Sequence, residues 1–243
     1  MVNGYIRKLI CRAKDSFYPI RCIGCNARIP ASSRDAFCPV CRARWEVYKH
    51  ENCYHCGQPI DKCWCGVKRD TKGYINAEYH LVQYDKMADS IIKRMIYKTK
   101  IYNRERIFKA IAREMYNDLY PRVDHTDLVL CYVPRSPYNI YEYGYDQSEY
   151  ISREFSKITG LNIADVLVNK GKRIQKRLSA EQRSDNAQRS YAVINGAGKL
   201  IKNKNVILID DVLTTGASVT RCAQLLKLKG AKRVIVFALA KTI

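Results

Sequence analysis

The sequence lacks any long apolar run. Its longest, Val234–Ala240, falls far short of the roughly 20 residues that a membrane helix needs. Basic residues interrupt the apolar side chains of Met1–Ile20, so this segment has no apolar core of the kind that signal peptides contain. We therefore expect a cytoplasmic protein that does not insert into a membrane.

Acidic residues are also scarce relative to basic ones. Asp and Glu number 23 against 43 Lys and Arg, which gives a formal net charge of +20. Such an excess favours polyanionic partners, either nucleic acid or phosphorylated substrates. The 243 residues suffice for one large domain, or for a small domain and a medium one. A hydrophobic content of 47% excludes wholesale disorder.

Cysteine, in contrast, is abundant and unevenly placed, because eight of the 11 cysteines lie between Cys22 and Cys65. In a reducing compartment such a cluster indicates metal ligands rather than disulfides. The eight form four closely spaced pairs: Cys22 and Cys25, Cys38 and Cys41, Cys53 and Cys56, and Cys63 and Cys65. Two such knuckles complete the tetrahedral thiolate site that Zn²⁺ prefers.

We predict two closed, structural zinc sites, with the first two cysteine pairs on one ion and the last two on the second. A cross-braced pairing of the knuckles stays open as the alternative. His55 lies inside the third knuckle and is expected to be a bystander. The module that carries these pairs, residues 1–72, is too small to fold on apolar burial alone, so metal would supply what its core lacks.

From residue 73 to residue 243 the pattern changes to alternating helices and strands, which predicts an α/β domain. Gln147–Thr159 has helical spacing of apolar residues, with Gly160 placed to end the helix. Near the end of the chain, strands are predicted at Asn205–Ile209 and Arg233–Leu239, around a helix at Ala217–Lys229. Such a β-α-β unit implies a parallel sheet flanked by helices.

Within this unit, the segment from residue 206 to residue 218 reads VILIDDVLTTGAS, a buried strand followed by two carboxylates and a Thr-Thr-Gly turn that opens a helix. Backbone N–H groups at a helix start form an anion cradle. The expected cradle residues are Thr214, Thr215, Gly216, Ala217 and Ser218. Asp210 and Asp211, one short turn away, are placed to accept hydrogen bonds from sugar hydroxyls or to hold a hydrated Mg²⁺. The segment therefore predicts a site for a 5-phosphorylated sugar.

This segment resembles the phosphoribosyl-pyrophosphate (PRPP) motif of type I phosphoribosyltransferases, and the cysteine module followed by this fold resembles the ComF family, including ComFC and GntX-like proteins. Val133-Pro134 and residues 144–148 resemble that family's V-P loop and its R-G-[FY]-[ND]-Q-[SA] segment. A second family pattern, similar to the flexible active-site loop of the fold, is matched by Gln175, Leu178, Arg183 and Asn186.

The resemblance implies a type I phosphoribosyltransferase fold that binds PRPP together with Mg²⁺. Pro134 and Arg135 would join the cradle residues in binding PRPP. Asp210, Asp211 and Arg183 would carry any catalysis, with Arg183 as a clamp on the pyrophosphate. The family's association is with natural competence, meaning the uptake and handling of single-stranded DNA beside a helicase-like partner.

Two alternatives stay open: an active phosphoribosyltransferase of nucleotide metabolism, and a non-catalytic interaction protein that contains zinc. Two departures from the family pattern bear on them. Tyr143 stands where the family has Arg, and Ile96 stands where a lysine is usual, with Lys98 close by. Both positions are expected at the pyrophosphate end of the site, so PRPP binding is a safer inference than transfer.

Tyrosines and basic residues suggest a further candidate site. Tyrosines cluster in Tyr138–Tyr150, and a basic stretch follows in Lys170–Arg189. Cations interleaved with stacking aromatics are what a groove for single-stranded nucleic acid requires. An ordinary solvated surface stays open as the alternative.

Overall fold

A computed structural model of the chain describes residues 20–30, 32–33, 35–54, 56–63, 73–85, 91–101, 105–171, 185 and 187–242. Its helices are α1 (Pro39–Lys49), α2 (Ile91–Ile101), α3 (Glu105–Asp118), α4 (Pro137–Tyr143), α5 (Gln147–Thr159), α6 (Gly198–Ile201) and α7 (Ala217–Leu228). Its strands are β1 (Ala77–Tyr84), β2 (Leu128–Tyr132), β3 (Leu167–Asn169), β4 (Tyr191–Val193), β5 (Asn205–Leu213) and β6 (Arg233–Thr242). None of the helices in these ranges is both long enough and apolar enough to cross a membrane.

Four of the strands form a parallel sheet in the order β1-β6-β5-β2, so the last two strands of the chain lie at its centre. Helices cover both faces of β5 and β6, and residues 206–210 and 234–240 are buried. This double burial is why these segments read as continuous apolar runs rather than as an alternating pattern. The predicted parallel sheet with flanking helices is confirmed.

The carboxyl ends of β2 and β5 lie side by side. Tyr132 pairs with Ile209 in the register of the two strands, and the N–H group of Val133 donates to the Ile209 carbonyl at 2.9 Å. Parallel strands place the loops that follow them at one edge of the sheet. The loop after β2 and the turn after β5 therefore meet at this carboxyl edge.

Strands β3 and β4 form a separate antiparallel pair. The segment that resembles a flexible active-site loop begins after β3 and ends at β4. Most of it lies outside the described residues, including Gln175, Leu178, Arg183 and Asn186. The pair shows where this segment leaves and rejoins the fold.

The cysteine-rich module shares one core with the α/β part of the chain. Cys22, Ile23 and Trp45 belong to the same buried cluster as the apolar faces of α2 and α3. Phe37 stacks on Trp45 with ring centroids 5.4 Å apart. The sequence-based boundary at residue 72 falls in a stretch outside the described residues, and the parts on either side of it pack together.

A buried carboxylate on α3 joins this module to the rest of the chain. Glu114 is 7% exposed and accepts three hydrogen bonds from α1. The donors are Trp45 Nε1 at 2.9 Å, Arg42 Nη1 at 2.6 Å and Lys49 Nζ at 3.1 Å. Arg42 also holds Asp35 through two further hydrogen bonds, at 2.8 and 2.7 Å. Glu114 therefore fixes how α1 lies on α3.

We predict that Glu114→Gln lowers the free energy of unfolding by about 3 kcal/mol, because two cations and an indole N–H group lose their shared buried carboxylate. Urea denaturation of the zinc-loaded protein measures the change. Glu105→Gln is the matched control, since Glu105 is exposed in the first turn of the same helix. It should cost no more than about 1 kcal/mol. Equal losses for the two variants would contradict the role assigned to Glu114.

Candidate functional sites

The first two cysteine knuckles bring four sulfurs together. The Sγ atoms of Cys22, Cys25, Cys38 and Cys41 all lie within 4.8 Å of one another. The N–H groups of Gly24 and Cys38 donate to Cys22 Sγ at 3.3 and 3.2 Å. Burial alone would raise the pKa of Cys22, but N–H groups of the two knuckles lower it to about 7. Four convergent thiols, one of them favoured as a thiolate, fit a tetrahedral Zn²⁺ ion.

The third knuckle and Cys63 form a second cluster. The Sγ atoms of Cys53, Cys56 and Cys63 lie within 4.8 Å of one another, and Cys63 Sγ approaches Cys53 Sγ to 3.2 Å. The expected fourth ligand, Cys65, and the bystander His55 lie outside the described residues. The described cysteines group in sequential order and not in the cross-braced alternative.

The carboxylates of the PRPP-like segment lie within β5 itself. The sequence indicated that the strand ends at Ile209, just before the two carboxylates, but β5 continues to Leu213. The reason is β6, which also runs past its predicted end and pairs with β5 as far as Leu213. Successive strand residues face opposite sides of a sheet. Asp210 is accordingly buried, and Asp211 is only half-buried.

The five cradle residues lie together where α7 begins. Gly216 has a φ of 76°, in the left-handed region that favours glycine, and it precedes the first helical residue, Ala217. The N–H group of Ala217 donates to Thr215 Oγ1 at 3.4 Å, and Thr214 and Ser218 are half-buried beside it. The first N–H groups of a helix have no partner within the helix. With the helix dipole, such groups attract a phosphate.

A third carboxylate, Asp146, joins the two from β5. It caps the N-terminus of α5, because Oδ1 accepts from the N–H groups of Ser148 and Glu149 at 3.0 and 3.3 Å. Its Oδ2 accepts from the Arg135 N–H group at 2.6 Å. The Ser148 hydroxyl donates to Asp210 Oδ1 at 3.3 Å, which connects the cap to β5.

Asp146 lies in the family-like segment 144–148, but its role as a helix cap was not predicted from the sequence. The signal was present, since an Asp followed three residues later by Glu149 is the spacing of a capping box.

These carboxylates perturb one another. Burial, helped by the charge of Asp211, raises the pKa of Asp146 to about 6 although backbone N–H groups of Arg135 and Glu149 lower it. Burial also raises the pKa of Asp210 well above its ordinary value, with Asp211 as the next cause. Sugar hydroxyls or a cation would stabilise the ionised forms.

The loop after β2 supplies the remaining predicted binding residues. The Pro134 carbonyl accepts from Asn169 Nδ2 at 3.1 Å, which holds this loop against the end of β3. The Arg135 guanidinium lies 4.7 Å from the centroid of the Tyr143 ring, and Nη1 donates to the Tyr145 carbonyl at 3.4 Å. The structure thus places Pro134 and Arg135 at the carboxyl edge, beside Asp146.

The residues expected at the pyrophosphate end are less favourably placed. Ile96 is 4% exposed and packs in the core. The nearby Lys98 donates to the Cys22 carbonyl at 3.0 Å, so its side chain contacts the cysteine-rich module. The expected clamp, Arg183, lies outside the described residues.

Gly24 provides a test of the first sulfur cluster. A Cβ atom at this position would lie 2.8 Å from Cys41 Sγ. We predict that Gly24→Ala displaces this sulfur and makes one zinc ion easier to remove, measured by competition with a chromogenic chelator. Gly198→Ala is the control, because its added Cβ would meet nothing closer than the Lys229 carbonyl oxygen at 3.6 Å. Unchanged zinc retention in Gly24→Ala would contradict the assignment of Cys41 as a ligand.

Two family models match separate parts of the chain. A family model for the phosphoribosyl transferase domain matches residues 151–242, and a model for the double zinc ribbon domain matches residues 13–71. A curated relative, competence protein F of Haemophilus influenzae, is 23% identical over 234 residues, which cover 93% of this chain and 99% of that protein.

Similar solved structures were also found. The glutamine PRPP amidotransferase from B. subtilis is 16% identical with a TM-score of 0.40, and the match covers 59% of this chain but only 30% of that one. A hypoxanthine phosphoribosyltransferase from Staphylococcus aureus is 17% identical with a TM-score of 0.34, over 57% of this chain and 74% of that one. The chain thus combines a match to a double zinc ribbon domain with a later match to a phosphoribosyl transferase domain, and it is similar to competence protein F over nearly its whole length.

Proposed function

We propose that the protein binds PRPP with Mg²⁺ at the carboxyl edge of its sheet and acts in natural competence, in the uptake and handling of single-stranded DNA. The observation that carries the PRPP part is the helix-start cradle after β5, directly beyond the buried Asp210. The competence part is supported by the similarity to competence protein F and by the net charge of +20. The protein would act in the cytoplasm, beside a helicase-like partner.

Each part of PRPP has matching groups in this arrangement. The 5-phosphate would accept hydrogen bonds from the N–H groups of residues 214–218 and from the hydroxyls of Thr214, Thr215 and Ser218. The ribose hydroxyls would donate to Asp210 and Asp211. A bound Mg²⁺ would neutralise the pyrophosphate. Arg135 and Arg183 are the cations for the pyrophosphate itself.

Two zinc ions complete the proposal, and both are structural. The first is held by the four sulfurs around Cys22, and the second by Cys53, Cys56, Cys63 and Cys65. Neither site keeps an open position for a substrate when four thiolates surround the ion. The zinc ions would hold the module in the shape that packs on α2 and α3.

Transfer of the ribose to an acceptor is the second candidate, favoured by the complete PRPP-like segment. Pyrophosphate would leave the anomeric carbon as positive charge develops on the sugar, which the carboxylates of β5 would stabilise. Pyrophosphate release from PRPP across a panel of bases and amines tests this reaction.

We predict that PRPP binds the zinc-loaded protein in the presence of Mg²⁺ and that Asp210→Asn weakens this binding at least about tenfold, which corresponds to about 1.4 kcal/mol. Titration calorimetry measures both affinities. Asp127→Asn is the matched control, because Asp127 lies at the opposite end of the sheet and Asn tolerates its φ of 50°. No measurable affinity in the wild type would favour the non-catalytic interaction protein instead.

Binding should also release protons near pH 6. Burial raises the pKa of Asp146 to about 6, so this carboxyl is partly protonated in the empty site near pH 6. A cation bound beside Asp146 lowers this pKa and expels the proton. At about pH 8, Asp146 is already ionised and the release is smaller.

Calorimetry in two buffers of different ionisation enthalpy gives the number of protons released. Asp146→Asn should reduce that number, and Asn still caps α5 because it serves this position as well as Asp. An equal number of released protons at about pH 6 and at about pH 8 would contradict the raised pKa of Asp146.

A further inference from the structure

One face of α3 carries a basic stripe that was not predicted from the sequence. Arg106, Lys109 and Arg113 stand three and four residues apart, so they share one side of the helix. Together with Ser33 and Ala36 of the zinc ribbon module, they line a cleft of 410 Å³. The cleft forms because the zinc ribbon module packs alongside this face of α3.

The three cations of this stripe are not equivalent. Arg106 is half-buried and its Nη2 donates to the carbonyls of Ser33, at 3.1 Å, and Asp35, so it helps to build the cleft. Lys109 and Arg113 are exposed, and neither forms an ion pair within the described part of the chain. Their charges are therefore available to an anionic partner.

An aromatic stack continues the stripe toward the end of α3. Tyr116 follows Arg113 by three residues and is 38% exposed. Its ring lies on Tyr120, with centroids 5.5 Å apart and an interplanar angle of 25°. Tyr120 stacks in turn on His125, at 4.2 Å and 10°. Three parallel rings at the end of a row of cations form a stacking platform beside an electrostatic track.

We propose that this face of α3 binds single-stranded nucleic acid, with backbone phosphates on Lys109 and Arg113 and a base stacked on Tyr116. Phosphates supply affinity through counterion release, and a ring accepts a base only when that base is free of its own partner strand. The inference rests on the DNA part of the proposed function, and it uses none of the residues assigned to PRPP.

The surface predicted from sequence, Tyr138–Tyr150 with Lys170–Arg189, falls only in part within the described residues. Tyr145 is 4% exposed, and its hydroxyl donates to the Thr99 carbonyl at 2.8 Å. Tyr141 is exposed, but most of the basic stretch lies outside the described residues.

The first experiment measures the affinity of the full-length, zinc-loaded protein for a fluorescent oligothymidylate over a series of salt concentrations. The double variant Lys109→Gln/Arg113→Gln should bind more weakly at low salt. Its slope of log affinity against log salt should be shallower by about 1.4, since each phosphate contact with a single strand contributes about 0.7. The control Lys199→Gln/Lys202→Gln removes the same charge from two exposed lysines at α6 and should keep the wild-type slope.

A second pair of variants separates stacking from charge. Tyr116→Ala should weaken binding about tenfold with an unchanged salt slope, because stacking involves no counterion release. Tyr116→Phe keeps the ring and should retain the wild-type affinity. Duplex DNA should bind more weakly than the single strand and should not respond to Tyr116→Ala.

The inference is overturned if the α3 double variant keeps the wild-type slope, or if the α6 control lowers the slope equally. It is also overturned if Tyr116→Ala and wild type bind alike. In each case wild-type binding would leave the DNA part of the proposed function in place. If the wild type does not bind the oligonucleotide, both the α3 inference and the DNA part of the proposed function are wrong. The PRPP titration tests the other part of the proposed function separately.

Discussion

Asp210 is a carboxyl group at the end of an apolar strand, and the site is arranged around its burial. The four residues before it in β5 are fully buried, and Asp210 itself is 9% exposed. Among the described residues no Lys or Arg pairs with it, and its hydrogen bonds come from the Ser148 hydroxyl and the Asp211 N–H group. A buried charge with only neutral donors is unfavourable, and the charge of Asp211, then that of Asp146, adds repulsion. Sugar hydroxyls together with a cation would relieve this cost.

The first sulfur cluster is connected to this edge through α2. The Lys98 ammonium group donates a hydrogen bond to the Cys22 carbonyl. The carbonyl of the next residue, Thr99, accepts a hydrogen bond from the Tyr145 hydroxyl. Tyr145 in turn precedes Asp146, which begins α5 and fixes the loop after β2. For a small metal-dependent module, the free energy of metal binding is folding free energy. Because the module and the sheet share a core, that free energy also supports the helix that positions Tyr145.

Sequence was sufficient where neighbouring residues decide the structure. The helix Gln147–Thr159 has its predicted bounds, because Asp146 caps its start and Gly160, at a φ of 75°, ends it. The grouping of the described cysteines also follows from spacing. The end of β5 was misjudged, because only pairing with β6 keeps it extended past Ile209. The contacts of Glu114 and Lys98 join residues 65 to 76 positions apart, and no local pattern contains them.

The charge of α3 differs between its two sides, and this difference bears on the whole molecule. On the side that faces α1, Glu114 forms ion pairs with Arg42 and Lys49, and Asp118 forms one with Lys49. Opposite charges therefore neutralise one another in this contact between the helices. On the opposite side the cations stay unpaired in a chain of net charge +20, where each added positive charge repels the rest. The PRPP-like edge has a different character, since it gathers three carboxylates beside the N–H and hydroxyl donors of the cradle and the guanidinium of Arg135. A nucleic-acid strand would therefore meet exposed cations on α3 while PRPP with its Mg²⁺ would bind at the carboxylates, so the two ligands can be held by one core without competing for the same surface.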